Sequence, residues 1–248
     1  MRASLFVLSF FLLLLIKPAA LLGTEISPLD EGDNGILQSN DFVGSFIMHF
    51  TELKKGKPTK NSPMKVAYYF NKNQVAFVPE STKGDRTTMI YSLEDRVVTT
   101  LVDSKGEKSG MRMKMPKINI EGKTGDASSY SVTPTDERKT IEGYACRKYL
   151  LESDEYTGHT WITEEANIDY AKLFDFLNAG QKNNNLSPAA LKDLKGFAME
   201  TYTKSKKGDV EIEVKISDLT VGKVDENIFD TSDYNITDMT SLMNFDGK

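Results

Sequence analysis

The chain has 248 residues, 39% of them hydrophobic and 27% charged. That is too apolar for a wholly disordered protein and too charged for a multi-pass membrane protein. The formal net charge of −5 excludes a broadly basic surface for nucleic acid. One cysteine makes neither an internal disulfide nor a cysteine-based zinc site, and two histidines leave little for a histidine-rich one.

The first element in chain order is a secretory signal over residues 1–23. Arg2 supplies the positive start, residues 5–16 form an apolar run broken only by Ser9, and Lys17-Pro18 ends it. The run is too short to span a bilayer comfortably. Thr24 stands where a lipidated cysteine would be needed, which excludes a lipid anchor at that position. Without this segment the net charge becomes −7, because Arg2 and Lys17 are its only charged residues. Residues 24–41 read as an acidic linker. Asp30, Asn34, Gly35 and Asp41 match positions of a calcium loop, but Gly32 lacks the side-chain oxygen needed between them.

From Phe42 onward the hydrophobic period is 2. Phe42, Gly44, Phe46, Met48 and Phe50 share one face. Strands follow at 64–70, 74–79, 87–93, 96–102 and 111–115, separated by Asn-, Asp- and Gly-containing turns. Residues 116–138 are polar, with one short strand near Tyr130, and residues 140–152 read as a single strong strand. Late in the chain, Val210, Ile212, Val214 and Ile216 oppose Glu211, Glu213 and Lys215, a strand expected to pair with residues 197–203.

Two helices are predicted between these strands. Asp169 caps one that presents Tyr170, Leu173, Phe174 and Leu177 at i, i+3, i+4 and i+7. Ser187 and Pro188 begin the other, and Gly196 ends it. Short one-sided helices are marginal alone and need an apolar surface to lie on. The expected fold is therefore α+β and mostly β: one domain over residues 42–239, a curled antiparallel half-barrel with two or three short helices on its concave face. Residues 240–248 form a tail.

The segment T-I-E-G-Y-A-C-R-K-Y, from Thr140 to Tyr149, carries a pattern T-I-x-G-Y-x-C-x-K-Y. It resembles a family of exported bacterial proteins described only as a domain of unknown function. In that family a methionine-rich strand precedes the motif, as Met111, Met113 and Met115 do here. An acidic stretch with a Phe follows late, similar to residues 224–229. A Pro-x-Gly-Tyr element closes the family's pattern, but Ser232-Asp233 stands where its Pro and Gly would be. The family is similar in fold to the LolA-like lipoprotein carriers. The resemblance implies a curved sheet over helices, enclosing a hydrophobic cavity. It implies no catalytic residues.

The residues that could carry chemistry point the same way. Met111, Met113 and Met115 share a strand face, and thioether side chains adapt either to a core or to varied apolar ligands. With Tyr170, Leu173, Phe174 and Leu177 they are the candidate cavity lining. Cys146 has no base tied to it by spacing and reads as a buried thiol. The sequence holds no G-x-S-x-G, no H-E-x-x-H and no phosphate-binding glycine loop. The expected function is an exported, non-enzymatic protein of the periplasm or cell envelope that carries or senses a hydrophobic or lipid-like molecule. No metal, cofactor or nucleic acid is expected. The alternative is an envelope interaction protein with a filled core and a protein partner.

Overall fold

The computed structural model describes residues 42–60, 62–81, 84–114, 131–166 and 196–241. They form one open, curled sheet. Its strands are β1 (Gly44–Lys54), β2 (Lys57–Pro58), β3 (Met64–Phe70), β4 (Gln74–Pro79), β5 (Arg86–Ser92), β6 (Val97–Ser104), β7 (Glu107–Lys114), β8 (Ser131–Ile141), β9 (Tyr144–Glu152), β10 (Tyr156–Thr163), β11 (Phe197–Ser205), β12 (Val210–Val221) and β13 (Asn235–Asp238). The spatial order is β13-β7-β6-β5-β4-β3-β1-β12-β11-β10-β9-β8, with β2 paired to β1. Two meanders, β3 to β7 and β8 to β12, thus meet on either side of β1. All pairs are antiparallel except β13, which lies parallel to β7.

Turn chemistry sets the meander. Lys55-Gly56, Lys105-Gly106 and Glu142-Gly143 all have positive φ at both positions. Each sits between directly paired residues: Lys54 and Lys57, Ser104 and Glu107, Ile141 and Tyr144. Two consecutive left-handed residues make the two-residue hairpin turn whose twist matches that of the strands, and glycine removes the steric cost at the second position. The last of these turns corrects a sequence expectation. Residues 140–152 are not one strand; Glu142-Gly143 folds them into the tip of the β8–β9 hairpin. β8 itself was expected as no more than a short strand. Its composition is polar because it is the sheet edge, where only one side pairs, and Pro134 and an irregular register up to Arg138 are tolerated there.

One apolar cluster runs along the inner face from Val75 and Phe77 on β4, through Phe46 and Ile216, to Met199 on β11 and Cys146 on β9. The sheet curls toward this face. Phe46 is 1% exposed and stacks on Tyr68 at 5.1 Å and on Phe70 at 5.6 Å, while Phe197 of the second meander lies at 5.2 Å.

The back of β4 to β7 is covered separately. After β12 the chain crosses behind the first meander, turns through a 3-10 helix (Glu226–Phe229) capped by Asp225, and ends in β13. Phe229 closes a second cluster with Ala76, Ile90 and Leu101, flanked by Val224, Ile228, Tyr234 and Ile236. A Cβ on Gly110 would stand 3.1 Å from Ile236 Cγ1 and 3.0 Å from Leu101 Cδ2, so glycine lets β13 approach β7. Ion pairs Lys108–Asp233 and Arg112–Asp238 fasten the rim.

The described residues hold no α-helix, so they give no support to the two or three helices expected on the concave face. The segments read as helical, 170–177 and 188–194, lie outside the described residues. So do the signal, the acidic linker with its calcium-like spacing, and residues 242–248.

The covering segment makes a prediction. Phe229→Ala removes the largest side chain of the second cluster and is expected to lower stability by about 3 kcal/mol or more. Val221→Ala, at a 46% exposed position, is expected to change it by less than about 0.5 kcal/mol. Urea unfolding of the two variants checks both values.

Candidate functional site

Cross-strand pairing carries two rows of side chains over the inner face. One runs Phe46, Tyr68, Phe77, Met89, Thr100, Met111. The other runs Gly44, Phe70, Val75, Tyr91, Val98, Met113. Alternation along each strand puts both rows on one side. Burial changes along them. Phe46, Tyr68, Phe77, Phe70 and Val75 are buried, and the burial of Tyr68 pushes its phenol up to about 12. From β5 onward Met89, Tyr91, Val98, Thr100, Met111 and Met113 are half-buried. On β4 to β6 the opposite face is sealed: Ala76 is 0%, Ile90 3% and Leu101 2% exposed. Strands β5 and β6 therefore have one closed face and one partly open, mainly apolar face.

Met111 and Met113, singled out in the sequence, stand at the β7 end of these two rows. Met115, Tyr170, Leu173, Phe174 and Leu177 lie outside the described residues. Sequence reasoning missed Met89, Tyr91 and Val98 as partners of the methionines. Their parity within the predicted strands was legible, but the register that aligns them is set by turns and was not.

Cys146 is 1% exposed, and burial pushes its thiol up to about 11. Its Sγ donates to the carbonyl oxygen of Tyr144 at 3.5 Å. His49 Nε2 hydrogen-bonds Ser217 Oγ at 2.8 Å, and the His159 ring lies against Tyr202 at 5.5 Å. A protonated thiol bonded to a carbonyl is a poor nucleophile.

A polar row crosses the seam into the second meander, and its Trp161 packs against the first apolar cluster. Lys65, His49, Lys215, Glu200, Trp161 and Lys148 form a continuous cross-strand row. Lys139 Nζ sits 4.4 Å and Lys148 Nζ 5.7 Å from the Trp161 ring centre. Each lysine also meets a carboxylate, Glu200 for Lys139 and Glu137 for Lys148. Burial lowers the pKa of His159, and Lys148 and Lys139 lower it further. These contacts cover Trp161 with charge.

At the turn end of the first meander lies an open cleft of about 580 Å³, lined among others by Asn71, Asn73, Gln74, Glu94, Asp95 and Glu226. Asn71 ties its walls together: Nδ2 donates to Glu226 Oε2 at 2.9 Å, and Oδ1 accepts from the Gln74 backbone at 2.7 Å. The lining is mainly polar and differs in kind from the inner rows. Among the described residues no three His, Cys, Asp or Glu side chains converge as a metal site, and no helix is long and apolar enough to cross a membrane.

The thiol geometry fixes an expected outcome. Native protein at pH 8 should leave Cys146 unreacted toward a thiol-specific disulfide reagent, while unfolded protein should release one equivalent promptly. Cys146→Ser is expected to cost about 1–2 kcal/mol, because a hydroxyl replaces a buried thiol. Rapid native labelling would show that the site opens.

Comparison with known proteins gives a family and loose structural likenesses. No curated protein matches. Among solved structures, PNGF-II is 14% identical with a TM-score of 0.35 over 80% of this chain, which spans 31% of that protein's length. A DUF1329 family protein from Desulfovibrio piger is 7% identical with a TM-score of 0.22, covering 79% of this chain and 92% of its own. A domain from Vibrio parahaemolyticus, provisionally assigned to outer membrane lipoprotein sorting, is 12% identical with a TM-score of 0.19, covering 75% and 89%. The family model of the domain of unknown function DUF4412 matches residues 42–234, from two residues before β1 to the residue before β13, and the chain belongs to that family.

Proposed function

We propose that this chain is an exported, non-enzymatic binding protein of the cell envelope that holds a hydrophobic or lipid-like molecule against the inner face of β5 to β7. The observation that carries this reading is the change in burial along the two inner rows. The rows are apolar from Phe46 to Met111, Thr100 excepted, and from Phe70 to Met113, yet they are buried only as far as β4. A partly exposed apolar surface of this kind gains free energy by taking up another apolar group, at roughly 25 cal/mol per Å² covered. Methionines at its far end suit ligands of variable shape. The closed back face leaves the inner side as the open one. Export rests on the signal read in residues 1–23.

A second reading has its own support. The packed aromatic group of Phe46, Tyr68, Phe70, Phe77 and Phe197 fills the interior around β1. If filling of this kind extends to β7, the protein is an interaction module with a protein partner instead.

Met113→Asp separates the two. On a ligand-binding face the substitution should weaken an apolar fluorescent probe about tenfold or more, and lower stability by no more than about 1 kcal/mol, since the position is already half-exposed. Probe titration and urea unfolding of the same preparation report both quantities. A wild type that binds no apolar probe, with a Met113→Asp variant that unfolds, supports the filled core.

A further inference from the structure

Arg96 stands in the loop between β5 and β6, in the left-handed region at φ 53°. Its Nη1 is buried and has no hydrogen-bond partner. The two carboxylates beside it in sequence do not turn toward it. Glu94 and Asp95 are exposed and line the polar cleft, and Asp95 Oδ2 accepts from Ser92 Oγ at 3.3 Å. Arg96 directly precedes Val97, and Val98 is the β6 partner of Tyr91, so Arg96 lies at the turn beside Tyr91; its charge lowers a phenol pKa that burial raises. Tyr91 belongs to the inner row with Val98 and Met113. The guanidinium thus stands at the turn end of the half-open apolar rows.

A guanidinium is always charged, and a buried donor on it that bonds to nothing carries the full cost of desolvation. Native proteins rarely keep such a group without an ion or ligand to meet it. We propose that Arg96 receives the oxyanion head of an amphiphile whose tail lies along Tyr91, Val98 and Met113. This rests on the reading of the inner face as the ligand surface and adds the chemical class of the ligand: one end anionic, the rest apolar. The planar fork of the guanidinium matches a carboxylate or a phosphate, with paired N–H···O bonds.

The test compares a fluorescent long-chain fatty acid with its methyl ester on the full chain, on Arg96→Gln and on Arg96→Lys. Wild type should bind the acid at least about tenfold more tightly than the ester, the scale of one charge-assisted hydrogen bond. Arg96→Gln should bind both equally, at the affinity the ester has for wild type, so retained ester binding reports an intact fold. Arg96→Lys should keep part of the preference. Equal binding of acid and ester by wild type, or a preference that survives Arg96→Gln, overturns the role of Arg96 and leaves the inner-face reading standing. Binding of neither probe overturns both. Displacement of the acid by equimolar inorganic phosphate would show a free-anion site and overturn the amphiphile.

Discussion

Phe46 is the contact on which the curl of the sheet depends. It lies on β1, the strand that joins the two meanders, and its ring touches Tyr68 and Phe70 on one side and Phe197 on the other. A sheet built from two sequential meanders has no topological reason to bend toward one face rather than the other. Burial supplies the reason. With a large aromatic ring at the seam, both halves remove most apolar surface from water by folding over it. The register irregularity between Ser45 and Ile47, where Asp218 of β12 adopts φ 54°, adds local twist at the same seam.

Much of this was legible in the sequence. The period-2 runs of β1, β3, β4 and β12 and the x-Gly turns each have a local cause, and local causes survive in a sequence. The alternation of Val210, Ile212, Val214 and Ile216 against Glu211, Glu213 and Lys215 is the alternation of the two faces of β12. The β8–β9 hairpin was misread for a physical reason. Its turn is only Glu142-Gly143, between Ile141 and Tyr144, and the β-prone residues on either side read through it. β8 was nearly missed because edge strands are stabilised by pairing on one side and carry no apolar alternation to betray them.

The candidate site was legible only in part. Met111 and Met113 stood out as a row, but a row on one strand does not reveal its neighbours. Met89, Tyr91 and Val98 join it through register, which a sequence does not state. The back cover was less legible still. Residues 224–238 read as a polar, acidic ending with scattered Ile, Phe and Tyr. Only the fold shows that Ile228, Phe229, Tyr234 and Ile236 converge on Ala76, Ile90 and Leu101. The small residues Ala76 and Gly110 are the trace of that cover, since they admit a second layer close to the sheet.

This cover changes what the open face means. A sheet edge with both faces half-exposed would be a frayed edge, with little free energy holding its strands in place. Here the outer strands are clamped: β13 extends the hydrogen-bonded ladder beyond β7, and Phe229 fills the space behind β4 to β6. The strands that carry Met89, Tyr91, Val98, Met111 and Met113 are therefore positioned independently of whatever touches their inner side. A surface ordered in advance loses less conformational entropy when an apolar group settles on it. The back of the first meander thus holds its front in place. The second meander differs, because charge pairs surround Trp161 beside the shared core there. The two halves share one core but not one construction, and the half with the second layer is the one whose inner face is left partly open.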